Sequence, residues 1–478
     1  MGAGFRRNHG KLRTGLEGSV VPHSMILRQP GSVTLNSVET ESPESHLKQR
    51  LERREARIAV LGLGYVGLPL ALALNQRGFP VLGVDPDPIR LQALEQGRSY
   101  VEAVESAQLR RVQSDTRWQL QSDLDPTFEA EVFLLCLPTP LGRANTPDLG
   151  ILRQAAEKIA AQLKPGNLVI LESTTWPGTT ATVLQPILEQ NSGYRAGQDF
   201  FLAYSPERSD PGNPNYHLCN TPRIVAGLDP ASSALAVQLY QSFCDQVVPV
   251  SSLAVAELAK LYENTYRAVN IALVNEMAML CHKMGLDAWQ VLDAAHSKPF
   301  GIQAFYPGPG VGGHCIAIDP LYLQWSAQEH GFLAGLMSRA VEINRGMPLY
   351  VCGRAKSLLA DMDGEPADKE VLLLGVAYKA DVADAREAPA VEILQRLRGM
   401  GYPVRYHDPL IPKLDLEGES LVSQPLTETN LKRASLVLLL TAHASFDLPE
   451  ILRHSRFLLD TRGACRHLQP DPERVILL

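Results

Sequence analysis

Residues 58–85, IAVLGLGYVGLPLALALNQRGFPVLGVD, constrain the fold of this chain more than any other segment. The pattern predicts a buried strand over 58–61, a helix over 68–77 and a second strand over 81–84. Two neighbouring strands joined by a helix run parallel, and a parallel sheet needs helices on both faces. The segment therefore predicts an α/β fold with an open, doubly wound sheet.

A glycine turn joins the first strand to the helix. Gly62, Gly64 and Gly67 follow the GxGxxG spacing, and the second strand ends at Asp85. Such glycines allow a tight turn, a close approach of a pyrophosphate and close helix–strand packing, while the acid accepts hydrogen bonds from ribose hydroxyls. The turn predicts a dinucleotide site for NAD rather than NADP, because the carboxylate would repel a 2′-phosphate; glycines that serve packing alone are the alternative. Arg90 either lies along the adenosine or is a solvated helix charge.

Polar residues follow the later strands of the same predicted sheet. Strands are predicted over 131–137, 168–171 and 200–204, and open α/β sheets bind ligands at the carboxyl ends of their strands. Thr174 follows the second of these strands and Glu207 the third. Both residues are candidates for a site at this edge, and ordinary loop capping is the alternative.

A long helix without proline or glycine is predicted over 253–284. It carries a polar stripe at helical spacing, formed by Glu257, Lys260, Asn264, Arg267 and Asn275. Such a stripe is usually a wet face, but the opposite face is not uniformly apolar, so we expect both sides to be covered. A helix of this kind between two α/β halves often joins domains or forms a dimer seam.

The loop YPGPGVGGHCIAIDP, residues 306–320, is too rich in glycine and proline for a helix or a strand. Its Cys315 precedes a predicted helix in which Asp319 is the expected N-cap and Pro320 lies in the first turn. Amide donors and the helix dipole at that position favour a thiolate over a thiol. Cys315 is therefore a candidate nucleophile, and a small buried structural cysteine is the alternative.

A second strand–loop–helix–strand unit begins with a predicted strand over 371–374, after a predicted helix over 340–359. This unit lacks the GxGxxG spacing and instead carries Lys379 and Arg386 in its strand-to-helix loop. Cationic side chains at such a place suit phosphate groups, and simple surface charge is the alternative.

Composition argues against several classes of protein. The 478 residues suggest about three domains, and the net charge of −7 argues against a general nucleic-acid binder. The seven cysteines form no CxxC pair, which predicts a reducing, cytoplasmic setting and no metal site. No apolar run approaches the ~18 residues that a membrane helix needs, and no signal peptide is expected. Residues 1–54 show little periodicity and are expected to form a disordered tail, with a helix over 47–55 (LKQRLERRE) as the lead into the first strand.

Ordered motifs along the chain match one family. From about Arg57 to the carboxyl end, the chain resembles the UDP-glucose/GDP-mannose dehydrogenase family in GLGYVGLPLA, PTP, ESTTWPGTT, SPERSDPGN, KLYENTYRAVNIALVNE, KPFGIQAFYPGPGVGGHCIAIDP, GVAYKADVADAREAP and TAHASFD. The resemblance implies two Rossmann-like doubly wound domains joined by a long central helix. The implied parts are an NAD-binding domain over 55–250, a helical dimerisation region with the cysteine loop over 251–345 and a UDP-sugar-binding domain over 346–478. A homodimer or higher homo-oligomer is implied as well.

The resemblance also implies a chemistry, the oxidation of a sugar C6 alcohol to a carboxylate by two hydride transfers to NAD. Cys315 captures the intermediate aldehyde as a thiohemiacetal. The second hydride transfer leaves a thioester, and water then releases the acid. A thiol suits these steps because it is a strong nucleophile and its thioester can be hydrolysed.

Five further residues match the family's catalytic positions. Lys260 and Asn264 match a pair that stabilises charge on the C6 oxygen. Glu207 and Asp319 match carboxylates that handle protons and position water. Thr174 matches a threonine that orders water or touches the nicotinamide.

The remaining matches are binding residues. Positions that contact NAD in the family correspond to Gly62, Gly64, Tyr65, Val66, Gly67, Asp85, Arg90, Thr139, Thr174 and Arg386. Positions that contact the UDP-sugar correspond to Glu207, Arg208, Lys260, Asn264, Tyr306, Gly312 and Lys379. No metal is implied.

The motifs PGPGVGGHCIAIDP and LESTTWPGTT are most similar to those of bacterial UDP-N-acetylglucosamine 6-dehydrogenases, which feed surface polysaccharide synthesis. UDP-N-acetylmannosamine and UDP-glucose enzymes remain alternatives. Ala317 and Ala388 depart from the usual CIPxDP and RESP motifs, but neither change removes a reacting group. Two rivals belong to other classes. A single-step dehydrogenase would need no nucleophilic cysteine, and a silent NAD-binding regulator would be expected to have lost Lys260, Cys315 or Asp319.

Overall fold

The computed structural model describes residues 42–142, 145–208, 210, 212, 213, 215–313, 316–416 and 418–478. Residues 42–478 form one compact unit. Its first part contains, in chain order, α1 (Pro43–Glu52), β1 (Ile58–Leu61), α2 (Gly67–Gln76), β2 (Val81–Val84), α3 (Pro88–Glu95), α4 (Ser106–Val112), β3 (Trp118–Gln121), β4 (Val132–Leu135), α5 (Gly150–Ala160), β5 (Leu168–Leu171), α6 (Gln185–Ser192), β6 (Phe201–Tyr204), β7 (Arg223–Gly227), α7 (Pro230–Gln241) and β8 (Val247–Pro249).

These strands form one sheet in the order β3-β2-β1-β4-β5-β6-β7-β8. Neighbours from β3 to β6 are parallel, and this is the doubly wound order of dinucleotide-binding domains. The two faces of β1 contribute to separate cores, with Ile58 and Val60 in one and Ala59 and Leu61 in the other. Such strands are therefore buried on both faces. β7 then reverses direction and pairs antiparallel with β6.

Four helices follow this sheet: α8 (Leu253–Met284), α9 (Ala288–His296), α10 (Asp319–Glu329) and α11 (Gly335–Ala360). Ser252 caps the start of α8, and Gly285 ends it in the left-handed region at φ 68°. The long helix predicted over 253–284 is confirmed. Helix α11 starts earlier than the helix predicted over 340–359, and the predicted boundary between the central region and the last domain, after residue 345, falls inside it. Within the described parts of the chain, no helix, α8 included, combines the length and the apolar character that a membrane span requires.

The last part contains a second sheet. Its elements are β9 (Val371–Leu374), α12 (Pro389–Gly399), β10 (Val404–His407), β11 (Lys413–Leu416), β12 (Glu419–Val422), α13 (Glu428–Arg433), β13 (Leu436–Leu439), α14 (Leu448–His454), β14 (Leu458–Asp460) and β15 (Val475–Leu477). The order β10-β9-β13-β14-β15 is parallel throughout and is a second common doubly wound order. The predicted fold, two Rossmann-like domains joined by a long central helix, is confirmed.

Residues 43–54 correct the prediction of a disordered tail. Helix α1 buries Leu47 and Leu51 against the first core, because their spacing places both leucines on one helical face. Arg50 donates to both carboxylate oxygens of Glu131 at 2.5 and 2.7 Å, and Gln238 of α7 donates to the Lys48 carbonyl at 3.0 Å. The rest of the predicted tail, residues 1–41, lies outside the described residues.

Candidate active site

The glycine turn between β1 and α2 has the geometry that its spacing predicts. Gly62 has φ +91°, and a Cβ there would lie 2.5 Å from the Cys136 carbonyl oxygen. A Cβ on Gly67 would lie 1.8 Å from the carbonyl oxygen of Gly62, which forbids a side chain and lets α2 pack close to β1. A Cβ on Gly64, in contrast, would meet nothing within 4 Å. The turn therefore leaves open space at the N-terminus of α2, where a pyrophosphate fits.

Asp85 supports this turn from the end of β2. It is buried, and its carboxylate accepts hydrogen bonds from the amides of Leu63 at 2.9 Å and Asp87 at 3.0 Å. Arg90 forms an ion pair with Asp85 at 3.2 Å, and its guanidinium lies 5.7 Å from the centre of the Tyr100 ring. Arg90 is therefore paired with Asp85 and is not a purely solvated helix charge. A contact of either residue with the adenosine ribose stays a prediction.

Thr139 and Thr174 meet at the carboxyl ends of β4 and β5. The Thr139 hydroxyl donates to the Thr174 carbonyl at 2.7 Å, and the Tyr322 hydroxyl donates to the Thr139 carbonyl at 2.7 Å. The Trp176 ring packs edge-on against Trp325, with ring centres 4.8 Å apart. Tyr322 and Trp325 both belong to α10. Helix α10 is therefore anchored to the edge of the first sheet, a contact that no local sequence pattern indicates.

Lys260, Asn264 and Asp319 come together between α8 and α10. The side-chain amide of Asn264 donates to the Asp319 carboxylate at 2.5 Å, and all three side chains are buried. Burial raises the pKa of Asp319 to about 6, although the Lys260 ammonium and the Asn264 hydrogen bond act in the opposite direction. Among the described residues, the ammonium group of Lys260 makes no hydrogen bond or ion pair.

The same part of the chain contains no group of three or more His, Cys, Asp and Glu side chains that could hold a metal ion.

The prediction that Asp319 caps α10 is wrong. The helix begins at Asp319 itself, and Ile318 occupies the N-cap position without a side-chain hydrogen bond. The carboxylate is turned toward α8, where Asn264 supplies a donor and Lys260 a positive charge. A tertiary contact with Asn264 has replaced the local cap.

Glu207 and Arg208 lie in the segment that follows β6. Glu207 forms an ion pair with Arg223 of β7 at 3.2 Å. The Arg208 guanidinium pairs with Glu263 of α8 at 2.5 Å and donates to the Pro222 carbonyl at 2.6 Å. Because Glu263 precedes Asn264 in α8, this pair ties the Glu207 segment to the helix that carries the polar cluster.

The glycine-rich loop that contains Cys315 passes against the second α/β domain. His314 and Cys315 lie outside the described residues, so the position of the candidate nucleophile stays a prediction. A Cβ on Gly312 would lie 2.7 Å from the carbonyl oxygen of Glu387, and one on Gly313 would lie 2.8 Å from the Tyr378 ring. These close approaches show why the loop needs glycine at both positions.

Two further residues hold the same loop: Asn275 of the predicted polar stripe, which is buried, and Arg462, which sequence reasoning did not single out. The Gly308 amide donates to the Asn275 side chain of α8 at 2.9 Å, and a Cβ on Gly308 would lie 2.7 Å from the Arg462 guanidinium. Arg462 donates to the Leu440 carbonyl at 2.7 Å, and burial lowers its pKa to about 10. The loop is thus held between the central helix and the second sheet.

Tyr306, a predicted substrate contact, is directed at α9. Its hydroxyl donates to Asp293 at 2.8 Å, and its ring stacks on Trp289 with centres 5.4 Å apart. Arg466 of the second α/β domain also pairs with Asp293. These contacts hold the Tyr306 hydroxyl against α9, and a role in substrate binding stays a prediction.

Lys379 and Arg386 reach from the second domain toward the first. Lys379 pairs with Asp210, which follows Arg208 in the segment after β6, at 2.7 Å. Arg386 forms an ion pair with Asp384 at 2.6 Å, and the hydrogen bond that Arg386 donates to this carboxylate raises the pKa of Arg386. The Tyr65 phenol in the glycine turn contributes to the same shift.

Asp408 repeats in the second domain what Asp85 does in the first. It follows β10 as Asp85 follows β2, and it accepts hydrogen bonds from the amides of Val376 at 2.7 Å and Ala377 at 3.0 Å. His443, buried beside it, lies 3.1 Å from its carboxylate. Sequence reasoning overlooked this acid, although both acids stand before a proline at the end of the second strand of an α/β unit.

Comparison with known proteins finds three matching family models. The chain matches the UDP-glucose/GDP-mannose dehydrogenase family in its NAD binding domain over residues 56–244, its central domain over 254–346 and its UDP binding domain over 372–467. The first match covers the glycine turn and nearly all of the first sheet, the second covers α8 to α10 and the cysteine loop, and the third covers Lys379 and Arg386. NAD is the cofactor, as the sequence predicts.

Individual relatives that match over nearly their whole length belong to the same family. An NDP-N-acetyl-D-galactosaminuronic acid dehydrogenase of Ralstonia solanacearum is 36% identical, covering 85% of this chain and 95% of its own. A UDP-N-acetyl-D-glucosamine 6-dehydrogenase of Pseudomonas aeruginosa is 34% identical, covering 82% and 92%. The structure of UDP-D-ManNAc dehydrogenase from Pyrococcus horikoshii is similar with a TM-score of 0.77 and 32% identity, covering 85% and 95%. This chain therefore belongs to the UDP-glucose/GDP-mannose dehydrogenase family and is an NAD-dependent oxidoreductase.

Proposed function

We propose that this chain oxidises the C6 alcohol of UDP-N-acetylglucosamine to a carboxylate in two NAD-dependent steps. The observation that carries the proposal is the buried cluster of Lys260, Asn264 and Asp319 at the carboxyl edge of the first sheet. It offers a cation, an amide donor and a carboxylate in one place. These are the groups that stabilise a charged oxygen and move a proton.

In the first oxidation, the C6 hydroxyl loses a proton while C6 loses a hydride. NAD bound at the glycine turn supplies the hydride acceptor in both oxidations. The Lys260 ammonium and the Asn264 amide are the donors for the charge that develops on the C6 oxygen. Asp319 exchanges its proton near neutral pH, since burial raises its pKa to about 6, and this suits an acid–base group.

In the second oxidation, the Cys315 thiolate adds to the aldehyde carbon and the aldehyde oxygen takes up a proton. The resulting thiohemiacetal loses a second hydride and its hydroxyl proton, which leaves a thioester. Water then attacks the carbonyl, the carbon–sulfur bond breaks and the thiolate leaves. Glu207 and Asp319 are the carboxylates that would position this water, and Thr174, at the end of β5, is a further candidate.

The second α/β domain supplies the binding groups for the nucleotide. Lys379 and Arg386 carry positive charge toward the edge of the first sheet, where it would offset the phosphates of a UDP-sugar and of NAD. Asp210 holds Lys379 at 2.7 Å, so a bound phosphate would compete with this carboxylate. The match to a UDP binding domain over residues 372–467 supports this assignment.

The choice of sugar rests on the cysteine loop and the LESTTWPGTT motif. Three of the relatives are named for N-acetylated sugars of different stereochemistry, and this supports an acetamido sugar more strongly than glucose. UDP-N-acetylmannosamine, UDP-N-acetylgalactosamine and UDP-glucose are the alternatives.

A panel of these four UDP-sugars tests the assignment directly. We expect UDP-N-acetylglucosamine to give the highest kcat/KM for NAD reduction, with two NADH formed per sugar acid and no free aldehyde. UDP-glucose should be slower by about tenfold or more, because polar groups that bind the acetamido group would lose their partners. Faster turnover of UDP-glucose than of every N-acetylated sugar would contradict the proposal.

We also propose that the chain works as a homodimer formed through α8. This helix exposes large apolar side chains, among them Tyr262, Leu273 and Met284, on the side away from the polar cluster. Light scattering should give about twice the monomer mass of 52.4 kDa. Leu273→Arg should shift the mass toward the monomer, whereas Ile89→Arg, at an exposed apolar residue of α3, should not. A monomeric wild type at micromolar concentration would exclude this dimer.

A further inference from the structure

A buried network lies behind Glu207. Arg223, the first residue of β7, is almost completely buried, and each nitrogen of its guanidinium has a partner. One terminal nitrogen pairs with Glu207 at 3.2 Å, the other pairs with Glu172, and Nε donates to the Ser205 hydroxyl at 2.9 Å. The guanidinium also lies 4.5 Å from the centre of the Tyr240 ring.

The reversal of strand direction in the sheet creates this arrangement. Ala203 pairs with Gly227 and Tyr204 with Ala226 in the antiparallel β6–β7 pair. Continuing that register past the end of β6 brings Arg223 opposite Glu207. A parallel strand at this place would have carried its first residue to the other edge of the sheet. β7 therefore delivers a cation to the carboxyl edge, where the predicted catalytic residues lie.

Glu172 pairs with the terminal nitrogen of Arg223 that does not bind Glu207, and Tyr240 supports Glu172. Glu172 follows β5, and its side chain is fully buried. The Tyr240 hydroxyl of α7 donates to Glu172. Burial alone lowers the pKa of Arg223, but the carboxylates of Glu172 and Glu207 outweigh it and raise that pKa above its usual value, so Arg223 stays a cation.

Stability alone does not account for such a network. A buried ion pair stabilises a fold little compared with apolar side chains of similar volume, because both charges lose their hydration. Its advantage is a single fixed geometry. Arg223 contacts three partners through the planar fork of one guanidinium, which a lysine ammonium cannot reproduce.

We propose that Arg223 is a positioning residue for Glu207, and that Glu172 and Tyr240 fix Arg223 in turn. The inference rests on the proposed function, in which Glu207 handles a proton or positions water. Arg208 supports the same segment from the other side, because it donates to the Pro222 carbonyl directly before Arg223 and pairs with Glu263. Glu207 is thus held from β7, and its neighbour is held from α8.

The test is a double-mutant cycle between Arg223→Lys and Glu207→Gln, measured as kcat for NAD reduction. Arg223→Lys alone should lower kcat by about 20-fold, the scale of one charge-assisted hydrogen bond, while the dissociation constant for NAD changes by less than about twofold. In the Glu207→Gln background the same substitution should have almost no further effect, because the group that it positions is already lost. Effects that multiply instead would overturn the inference.

Tyr240→Phe gives a second route that does not depend on Arg223→Lys folding. It keeps the ring beneath Arg223 and removes only the hydroxyl that binds Glu172. We expect kcat to fall by about threefold, the size of one hydrogen bond, and this effect should also vanish with Glu207→Gln. An unchanged kcat in both Arg223→Lys and Tyr240→Phe would overturn the inference.

Glu131→Gln is the matched control, since Glu131 also pairs with an arginine, Arg50, but before the start of β4. It should leave kcat unchanged. If Glu207→Gln alone abolishes measurable turnover, the separation of kcat from NAD affinity in Arg223→Lys decides, and a parallel loss of both would overturn the inference. A wild type that oxidises none of the four UDP-sugars would overturn the proposed function and the inference together, whereas an active wild type with multiplicative effects would overturn the inference alone.

Discussion

Replacement of Cys315 by alanine is expected to abolish formation of the sugar acid while NAD and the UDP-sugar still bind. The thiol forms its bond only after the first hydride transfer, so it contributes to the later chemistry more than to ground-state affinity. In the Cys315→Ser variant the acyl-enzyme should instead accumulate, or be hydrolysed much more slowly, because an ester is less reactive toward water than a thioester. Mass spectrometry of the protein after one turnover would detect the added acyl group.

The control for this experiment is Cys281→Ala, which removes a buried thiol from α8 outside the cysteine loop. It should keep the stoichiometry of two NADH per acid. If Cys315→Ala makes the carboxylate at close to the wild-type rate, the covalent route is excluded. The chain would then be a dehydrogenase without a covalent intermediate, in which water adds to the aldehyde and the resulting hydrate loses the second hydride to NAD.

The sequence predicts those elements whose burial leaves a local pattern. The bounds of β1, β2, β5 and β9 agree with the predicted strands, because strands covered on both faces read as short apolar runs that end at glycine or polar residues. Helix α8 agrees because no proline or glycine interrupts it. The glycine turn of the NAD site also leaves a local pattern, because a Cβ at Gly67 would clash with the carbonyl oxygen of Gly62 and only glycine fits there.

Contacts between distant segments leave no such pattern. The bond between Asn264 and Asp319 joins residues 55 positions apart and overrides the N-cap role that Asp319 would have in an isolated helix. The link between Glu207 and Arg223 depends on β7 running antiparallel to β6, and the residues of β7 do not predict that direction. A helix over 47–55 is predicted, but its packing against the first core is not, because its surroundings look like a polar tail; Leu47 and Leu51 are nevertheless spaced for one buried face.

Lys260→Ala is expected to slow turnover by about 100-fold or more, the scale of one lost oxyanion donor. The Lys260 ammonium is buried and acts electrostatically on Asp319, at the place where the proposal puts the reacting C6 oxygen. The loss should appear in kcat, with little change in the affinity for NAD. Lys283→Ala, at an exposed lysine near the end of the same helix, should leave kcat unchanged.

The pH profile of the Lys260→Ala variant distinguishes an electrostatic role from a structural one. Asp319 has its pKa raised by burial to about 6, and Lys260 opposes that rise. If ionised Asp319 is required, wild-type kcat/KM falls as the pH drops through about 6. Removing the positive charge should raise the pKa of Asp319 further, so the acidic limb should move to higher pH. A limb that stays in place would show that Lys260 does not act on Asp319, and a limb that moves to lower pH would contradict the placement of the two charges beside each other.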